Sequence, residues 1–345
     1  MRIEKVDVLI IGAGPAGCIA AGILQKNGFS LKIVEKEQFP RFVIGESLLP
    51  RCLYNLEKAG LLEAVKAKNF QRKNGARFIR DEGEICQFNF SEQYTDGWEY
   101  AWQMRRAEFD KTLADEIQLR GVELCYQHGV ESVDFNDERA LTTIQPNVGE
   151  KYQIESKFVV DASGYGRVLP RLLDLNVPSK FPPRTAFFAH IKDPIREEGS
   201  ELLTEVVDLK GAWTWIIPVA PGITSLGFVG EPSFLEQYGN TYDEKMYRAL
   251  LASHPKLHER YSENLVFDFG PESIKGYSIS VKQMYGDRYV LVGNSTEFLD
   301  PIFSSGVAFA TESGATAAET LTRHLNGEKV ESLSLIIHKE FAYHR

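Results

Sequence analysis

The chain has 345 residues, 43% apolar and 25% charged, the balance of a folded globular protein long enough to bury a large core in two lobes. Its 39 basic residues stand against 48 acidic ones, a formal charge of −9, which excludes a dominant nucleic-acid surface but leaves room for a local basic funnel around an anion. Cys18, Cys52, Cys86 and Cys125 are scattered without CxxC or metal-ligand spacing, so they read as reduced thiols in a cytoplasmic protein, and no metal site is expected.

Residues 6–11 are a short apolar run with β-branched members and predict a buried parallel strand. Residues 12–17 predict a tight turn, 15–25 a helix closed by Asn27 and Gly28, and 31–35 a second strand. This is the βαβ opening of a doubly wound sheet. The apolar stretch 6–24 is not a leader or a membrane span, because Asp7, Gly12, Gly14, Pro15 and Gly17 interrupt it. No other stretch approaches the length needed to cross a bilayer, so neither membrane nor nucleic acid is expected as a partner. A loop over 38–50 carries the string IGESLLP. Helical patterns follow over 51–68, strand-like pieces over 76–103, a helix over 108–118, and strands over 122–126 and 158–160.

From 178 to 276 the pattern changes. Residues 187–191, 203–209, 212–219 and 223–229 read as consecutive antiparallel strands, followed by a helix over 242–252. In the third of these strands Trp213, Trp215 and Ile217 share one face, and Pro218 is expected to end the strand. Residues 288–292 return as a buried strand before Gly293, and 305–325 form a long helix before Asn326 and Gly327. The expected fold is α/β: a discontinuous dinucleotide-binding domain, 1–177 with 277–345, and an inserted antiparallel sheet lobe over 178–276 for substrate.

Gly12, Gly14, Pro15, Ala16 and Gly17 belong to a GxGxxG turn between a strand and a helix. Gly12 permits the turn, Gly14 admits a pyrophosphate, Gly17 lets helix pack on strand, and the helix N-terminus supplies N–H groups. Glu35, at the end of the next strand, is placed to accept the ribose hydroxyls of an adenosine. Both FAD and NAD use such a turn. Three further strings resemble the flavin side of the class that includes aromatic hydroxylases, geranylgeranyl reductases and halogenases: Arg106 with Phe109 and Asp110, then Asp161-Ala162-Ser163-Gly164, then Gly293-Asn294, where the class has Gly-Asp. Two more strings resemble the flavin-dependent halogenases: WxWxIP at Trp213, Trp215, Ile217 and Pro218, and FxxPxxSxG at Phe298, Pro301, Ser304 and Gly306. Gly45, Glu46, Ser47 and Pro50 match the loop that lies over the flavin in that family.

The resemblance implies a glutathione-reductase-like FAD domain and an enzyme that uses FADH2, O2 and chloride or bromide. It assigns Gly12, Gly14, Pro15, Ala16, Gly17, Glu35, Lys36, Arg41, Ser47, Arg106, Asp161, Gly164, Asn294, Asp300 and Gly306 to the cofactor, and Ser305 and Gly306 to the halide. Trp213 and Trp215 would wall the flavin from the organic substrate, and Lys73 would receive hypohalous acid. Phe303 stands where tryptophan halogenases carry a glutamate, which implies a small phenolic or pyrrolic aromatic, free or tethered to a carrier. There is no second GxGxxG, which points to a separate NAD(P)H-dependent flavin reductase. The family continues past the position of Arg345 into a helical segment that encloses substrate, and a helix is expected from 332. A monooxygenase or geranylgeranyl-reductase-like enzyme of the same fold, or a non-catalytic flavoprotein, remain the alternatives.

Overall fold

The computed structural model describes residues 2–80, 83–94, 96–193, 196, 198–263, 265–298 and 301–328. Asp300 and the helix expected from 332 lie outside these residues.

In the first sheet, parallel strands run in the order Tyr289–Leu291, Tyr152–Asp161, Ile3–Ile11, Leu31–Glu35 and Glu123–Tyr126, with Tyr285–Gly286 antiparallel at one edge. Alternation sorts the central strand. Val8 and Ile10 enter a core shared with Leu53, Phe109, Leu113 and Leu321 from the overlying helices Pro50–Ala59, Arg106–Leu119 and Ser305–Leu325. Leu9 and Ile11 enter the opposite core with Val133, Ile144 and Ile154. That second core is closed by a hairpin, His128–Phe135 and Ala140–Pro146, which the sequence reading did not anticipate. Its strands bury only part of one face and are rich in Thr, Gln and Glu, so their apolar signal is weak. For the same reason the strand expected over 158–160 begins earlier, at Tyr152.

The second sheet has the order Phe267–Lys275, Thr185–Lys192, Ile223–Gly230, Ala212–Ala220, Leu203–Asp208, Gly75–Ile79 and Ile85–Asn89. The expected lobe boundaries are thus incomplete, because 75–89 pairs into the lobe's sheet, and the contact between Gly75–Ile79 and Leu203–Asp208 is parallel. Phe78 and Ile79 alternate as that position requires. Ile79 joins the core under the helices Glu244–Ala252 and Pro255–Tyr261, while Phe78 packs on the opposite, tryptophan-bearing face. Trp213, Trp215 and Ile217 share that face, together with Phe188 and Val206. Trp215 lies flat over Gly227 of the neighbouring strand, where a Cβ would stand 2.2 Å from its ring. Pro218 does not end the strand, which continues to Ala220 with a register shift beyond Pro218. The missing N–H is tolerated because pairing with Leu203–Asp208 stops at Ile216. Among the described residues no helix is long and apolar enough to cross a membrane.

Candidate active site

A cavity of about 1080 Å³ lies between the glycine-loop end of the first sheet and the tryptophan face of the second. This is at the upper end of the roughly 300–1,000 Å³ typical of small-molecule sites, so it suits a large ligand. Gly12, Gly14, Pro15 and Ala16 line it. Gly17 does not, because it faces the other way: a Cβ there would stand 2.0 Å from the Gly12 carbonyl oxygen. Its role is packing, as its place in the turn implies. Glu35 also lines the cavity, and its two carboxylate oxygens accept the N–H groups of Ala13 and Glu37, both at 2.9 Å. Glu35 therefore braces the glycine loop and keeps further lone pairs for a ligand hydroxyl.

Positive charge gathers beside the loop. Arg106 donates from Nε and Nη2 to the two oxygens of buried Asp110 at 2.8 and 2.9 Å, and Arg41 adds a contact to Asp110 at 3.0 Å. Two guanidiniums on one carboxylate leave a surplus charge of one, suited to a phosphate. Arg106 also donates to the carbonyls of Ile44 and Gly45 at 3.4 and 3.3 Å, which seats the 38–50 loop. Arg41, Arg106 and exposed Lys36 all line the cavity, as do Gly164 and Asn294. Asp161 does not. Its carboxylate accepts the N–H groups of Ser163 at 2.9 Å and Leu169 at 2.7 Å, and burial pushes its pKa upward against those bonds. It shapes the turn that presents Ala162, Ser163 and Gly164 to the cavity, so the expected ligand role passes to its neighbours.

The far end is walled by Trp213, Trp215 and Ile217. The indole of Trp215 donates to Ser225 Oγ at 3.0 Å, whereas that of Trp213 is buried with no partner among the described residues. Glu46 is buried, with Oε1 2.7 Å from His190 Nε2 and Oε2 unpartnered. Trp213 and Glu46 both line the cavity. The long helix begins here at Ser305, preceded by Ser304 in left-handed conformation (φ 55°) with no side-chain cap. Ser304, Gly306 and Val307 line the cavity but Ser305 does not, so of the two residues expected at a halide only Gly306 reaches it.

Lys73 is the outlier. It ends the strand Gln71–Lys73, is 1% exposed and does not line the cavity. Its Nζ donates to Ser47 Oγ at 2.8 Å and to the Leu48 carbonyl at 3.1 Å, and it stands 5.3 Å from the Phe90 ring centroid. No carboxylate faces it among the described residues, and burial pulls its pKa down to about 7, with the neighbouring Cys52 acting in the opposite direction. Ser47 and its partner Thr204, 2.8 Å away, both line the cavity and so connect Lys73 to it. Thr204, Gln103 and His190 were not legible as site residues in the sequence. Glu46 was signalled only by its place in the IGESLLP string.

The FAD binding domain family matches residues 5–340. A 1H-pyrrole-2-carbonyl-[peptidyl-carrier protein] brominase of Pseudoalteromonas luteoviolacea is 31% identical over 94% of this chain and 79% of its own length. A tryptophan 2-halogenase of Chondromyces crocatus is 30% identical over 94% of this chain and 62% of its own. Among solved structures, a flavoprotein/dehydrogenase from Cytophaga hutchinsonii superimposes with a TM-score of 0.91 at 50% identity, covering 95% of this chain and 80% of that one. The fold is thus that of a Rossmann-type FAD domain carrying a sheet lobe.

Gly14→Val should separate binding from folding. A Cβ at Gly14 meets only Arg41 Nη2, at an ordinary 3.7 Å, so the protein has room for it, whereas a pyrophosphate seated on the loop would not. Far-ultraviolet circular dichroism should be unchanged, and flavin affinity by absorbance titration should fall at least about tenfold, or ~1.4 kcal/mol. Equal affinity would misplace the loop.

Lys73→Met should show the cost of the buried amine. Below about pH 7 the lysine is charged folded and unfolded and its burial cost is complete; between about 7 and the ordinary 10.5 the unfolded chain alone binds the proton, so the parent gains stability as pH rises. The methionine variant should therefore be more stable at pH 7, and its advantage should shrink toward pH 10 by at most about 1.4 kcal/mol per pH unit in denaturant titrations. A pH-independent difference would contradict a depressed pKa.

Proposed function

The chain belongs to the flavin-dependent halogenases, FAD-dependent oxidoreductases, and from that premise we propose that it uses reduced flavin, O2 and chloride or bromide to halogenate an electron-rich phenol or pyrrole. The observation that carries this reading is Lys73, an uncompensated lysine behind the tryptophan wall, joined to the flavin cavity through Ser47 and Thr204.

When bound, reduced FAD supplies the electron pair with which dioxygen and halide become hypohalous acid and water. The chain's own residues do the rest. The glycine loop, Arg41 and Arg106 bind the phosphates, and the uncapped first turn of the helix at Gly306 offers N–H groups to an anion. Trp213 and Trp215 keep an organic ring away from the flavin, so only a small oxidant passes. With a pKa near neutrality, Lys73 can meet that oxidant as an ammonium that polarises it or as an amine that accepts the halogen.

The substrate side is apolar. Phe90, Phe88, Phe78 and Phe303 follow one another at 6.2, 6.1 and 5.6 Å between ring centroids, leading outward from Lys73. Phe303 turns away from the flavin cavity and is 65% exposed. Phe303 itself offers no carboxylate to take a ring proton, which favours a phenol or pyrrole whose own heteroatom activates the ring. The pyrrole brominase relative acts on a carrier-bound acyl group, which supports a tethered substrate here. Reduction is assigned to a separate NAD(P)H-dependent flavin reductase in the cytoplasm.

The purified protein, a flavin reductase, NADH and bromide or chloride should convert members of a phenol and pyrrole panel to products with the halogen isotope pattern. NADPH without the reductase should leave the flavin oxidised in anaerobic stopped-flow. Lys73→Ala should bind FAD and consume O2 normally but lose product by at least the ~10²-fold typical of a removed catalytic group. Halogenation at the parent rate by Lys73→Ala would remove Lys73 from the site; rapid direct reduction by NADPH would favour a hydroxylase or prenyl reductase.

A further inference from the structure

We propose that Thr204 is a positioning residue that keeps the Lys73 lone pair free, by fixing the direction of a hydrogen-bond chain running from Lys73 to Gln103. The inference rests on the reading of Lys73 as the group that meets hypohalous acid.

The direction follows from the far end. Gln103 is fully buried, and its Nε2 donates to the Glu201 carbonyl at 3.1 Å. A carbonyl can only accept, so the Gln103 amide cannot turn over, and its Oε1 faces Thr204. That oxygen also only accepts, so Thr204 Oγ1 donates its single proton there, at 2.8 Å. Ser47 Oγ lies 2.8 Å from Thr204 Oγ1 and must then be the donor of that pair. With its proton engaged, Ser47 presents a lone pair to Lys73 and accepts an N–H at 2.8 Å. The Leu48 carbonyl accepts a second N–H at 3.1 Å.

A neutral lysine amine has two hydrogens and one lone pair. Both hydrogens are taken, and no donor in the chain of bonds is aimed at the nitrogen. The amine is therefore held in the form that can take up an electrophilic halogen. In that step an N–halogen bond forms and the O–halogen bond of hypohalous acid breaks. The hydroxide so released combines with an amine proton as water. Without the Thr204 hydroxyl, the Ser47 proton loses its acceptor, and its remaining partner among the described residues is the Lys73 nitrogen. The chain then reverses and the lone pair is occupied.

Thr204→Val removes the hydroxyl at nearly constant volume, and Thr204→Ser restores it. The test is reductive methylation of the FAD-loaded protein with formaldehyde and cyanoborohydride, which reports amine lone-pair availability and needs no turnover. Lys73 is followed by peptide mass spectrometry, with exposed Lys68 as the internal reference. Relative to Lys68, Lys73 should be labelled about tenfold or more slowly in Thr204→Val than in the parent, with recovery in Thr204→Ser. Gln103→Met, which frees the Thr204 proton, should act in the same direction and covers the case of a misfolded valine variant. In reductase-coupled assays Thr204→Val should lower kcat with KM unchanged. No labelling of Lys73 in the parent, or equal labelling in parent and Thr204→Val, overturns the proposal. A labelling defect in Thr204→Val together with full halogenation by Lys73→Ala would keep the positioning role and discard the catalytic reading.

Discussion

Burying a lysine without a carboxylate is the constraint that organises this molecule. The amine at Lys73 must be met by neutral oxygens, and Ser47 and Leu48 supply them from the 38–50 loop. That loop is tied from both sides. Met104 and Leu48 donate backbone N–H groups to the Glu46 and Trp102 carbonyls at 2.9 Å, and Arg106 holds Ile44 and Gly45 from the FAD domain. His190 and Thr204 hold Glu46 and Ser47 from the sheet lobe. One segment of a dozen residues thus closes the flavin cavity, joins the two sheets and sets the environment of the lysine. Replacing an ammonium's water by two neutral acceptors costs more for the charged form than for the amine, which is why the site lowers the pKa instead of pairing the charge.

The FAD domain was largely legible because its signals are local. A β-branched run, a glycine turn and an apolar helix of small residues follow within about 20 residues, and the long helix from Ser305 runs as its composition predicts. Signals that depend on distant pairing were not. The hairpin at 128–146 hides its strand character behind polar residues on a half-exposed face. The segment 75–89 reads as strand-like, but its place in the second sheet is set by Leu203–Asp208, more than a hundred residues away.

The site divides along the same line. Trp213 and Trp215 could be placed on one face because alternation is a property of the strand itself. Whether Asp161 or its neighbours faced a ligand could not be read, since a carboxylate at a strand end can equally cap the next turn, and here it does so through Ser163 and Leu169. Ser305 missed the cavity by one helical position while Gly306 and Val307 entered it. Thr204 and Gln103 carry no motif at all; their significance lies in contacts spanning 157 and 101 positions of sequence.

The arrangement also bears on why oxidation and transfer sit apart. An indole wall close to a flavin is itself an oxidisable surface, and a freely diffusing hypohalous acid would consume it. In the proposed reaction, a nitrogen held ready by its own hydrogen bond to Ser47, a residue of the cavity wall, would shorten that exposure. Beside the lysine runs a row of phenylalanines, rings that react slowly with such an oxidant and would offer the proposed aromatic substrate a matching surface. If the proposed reaction holds, polar, directional groups would stand where the halogen is received and inert rings where it leaves, so the same side chains would serve the substrate and spare the protein.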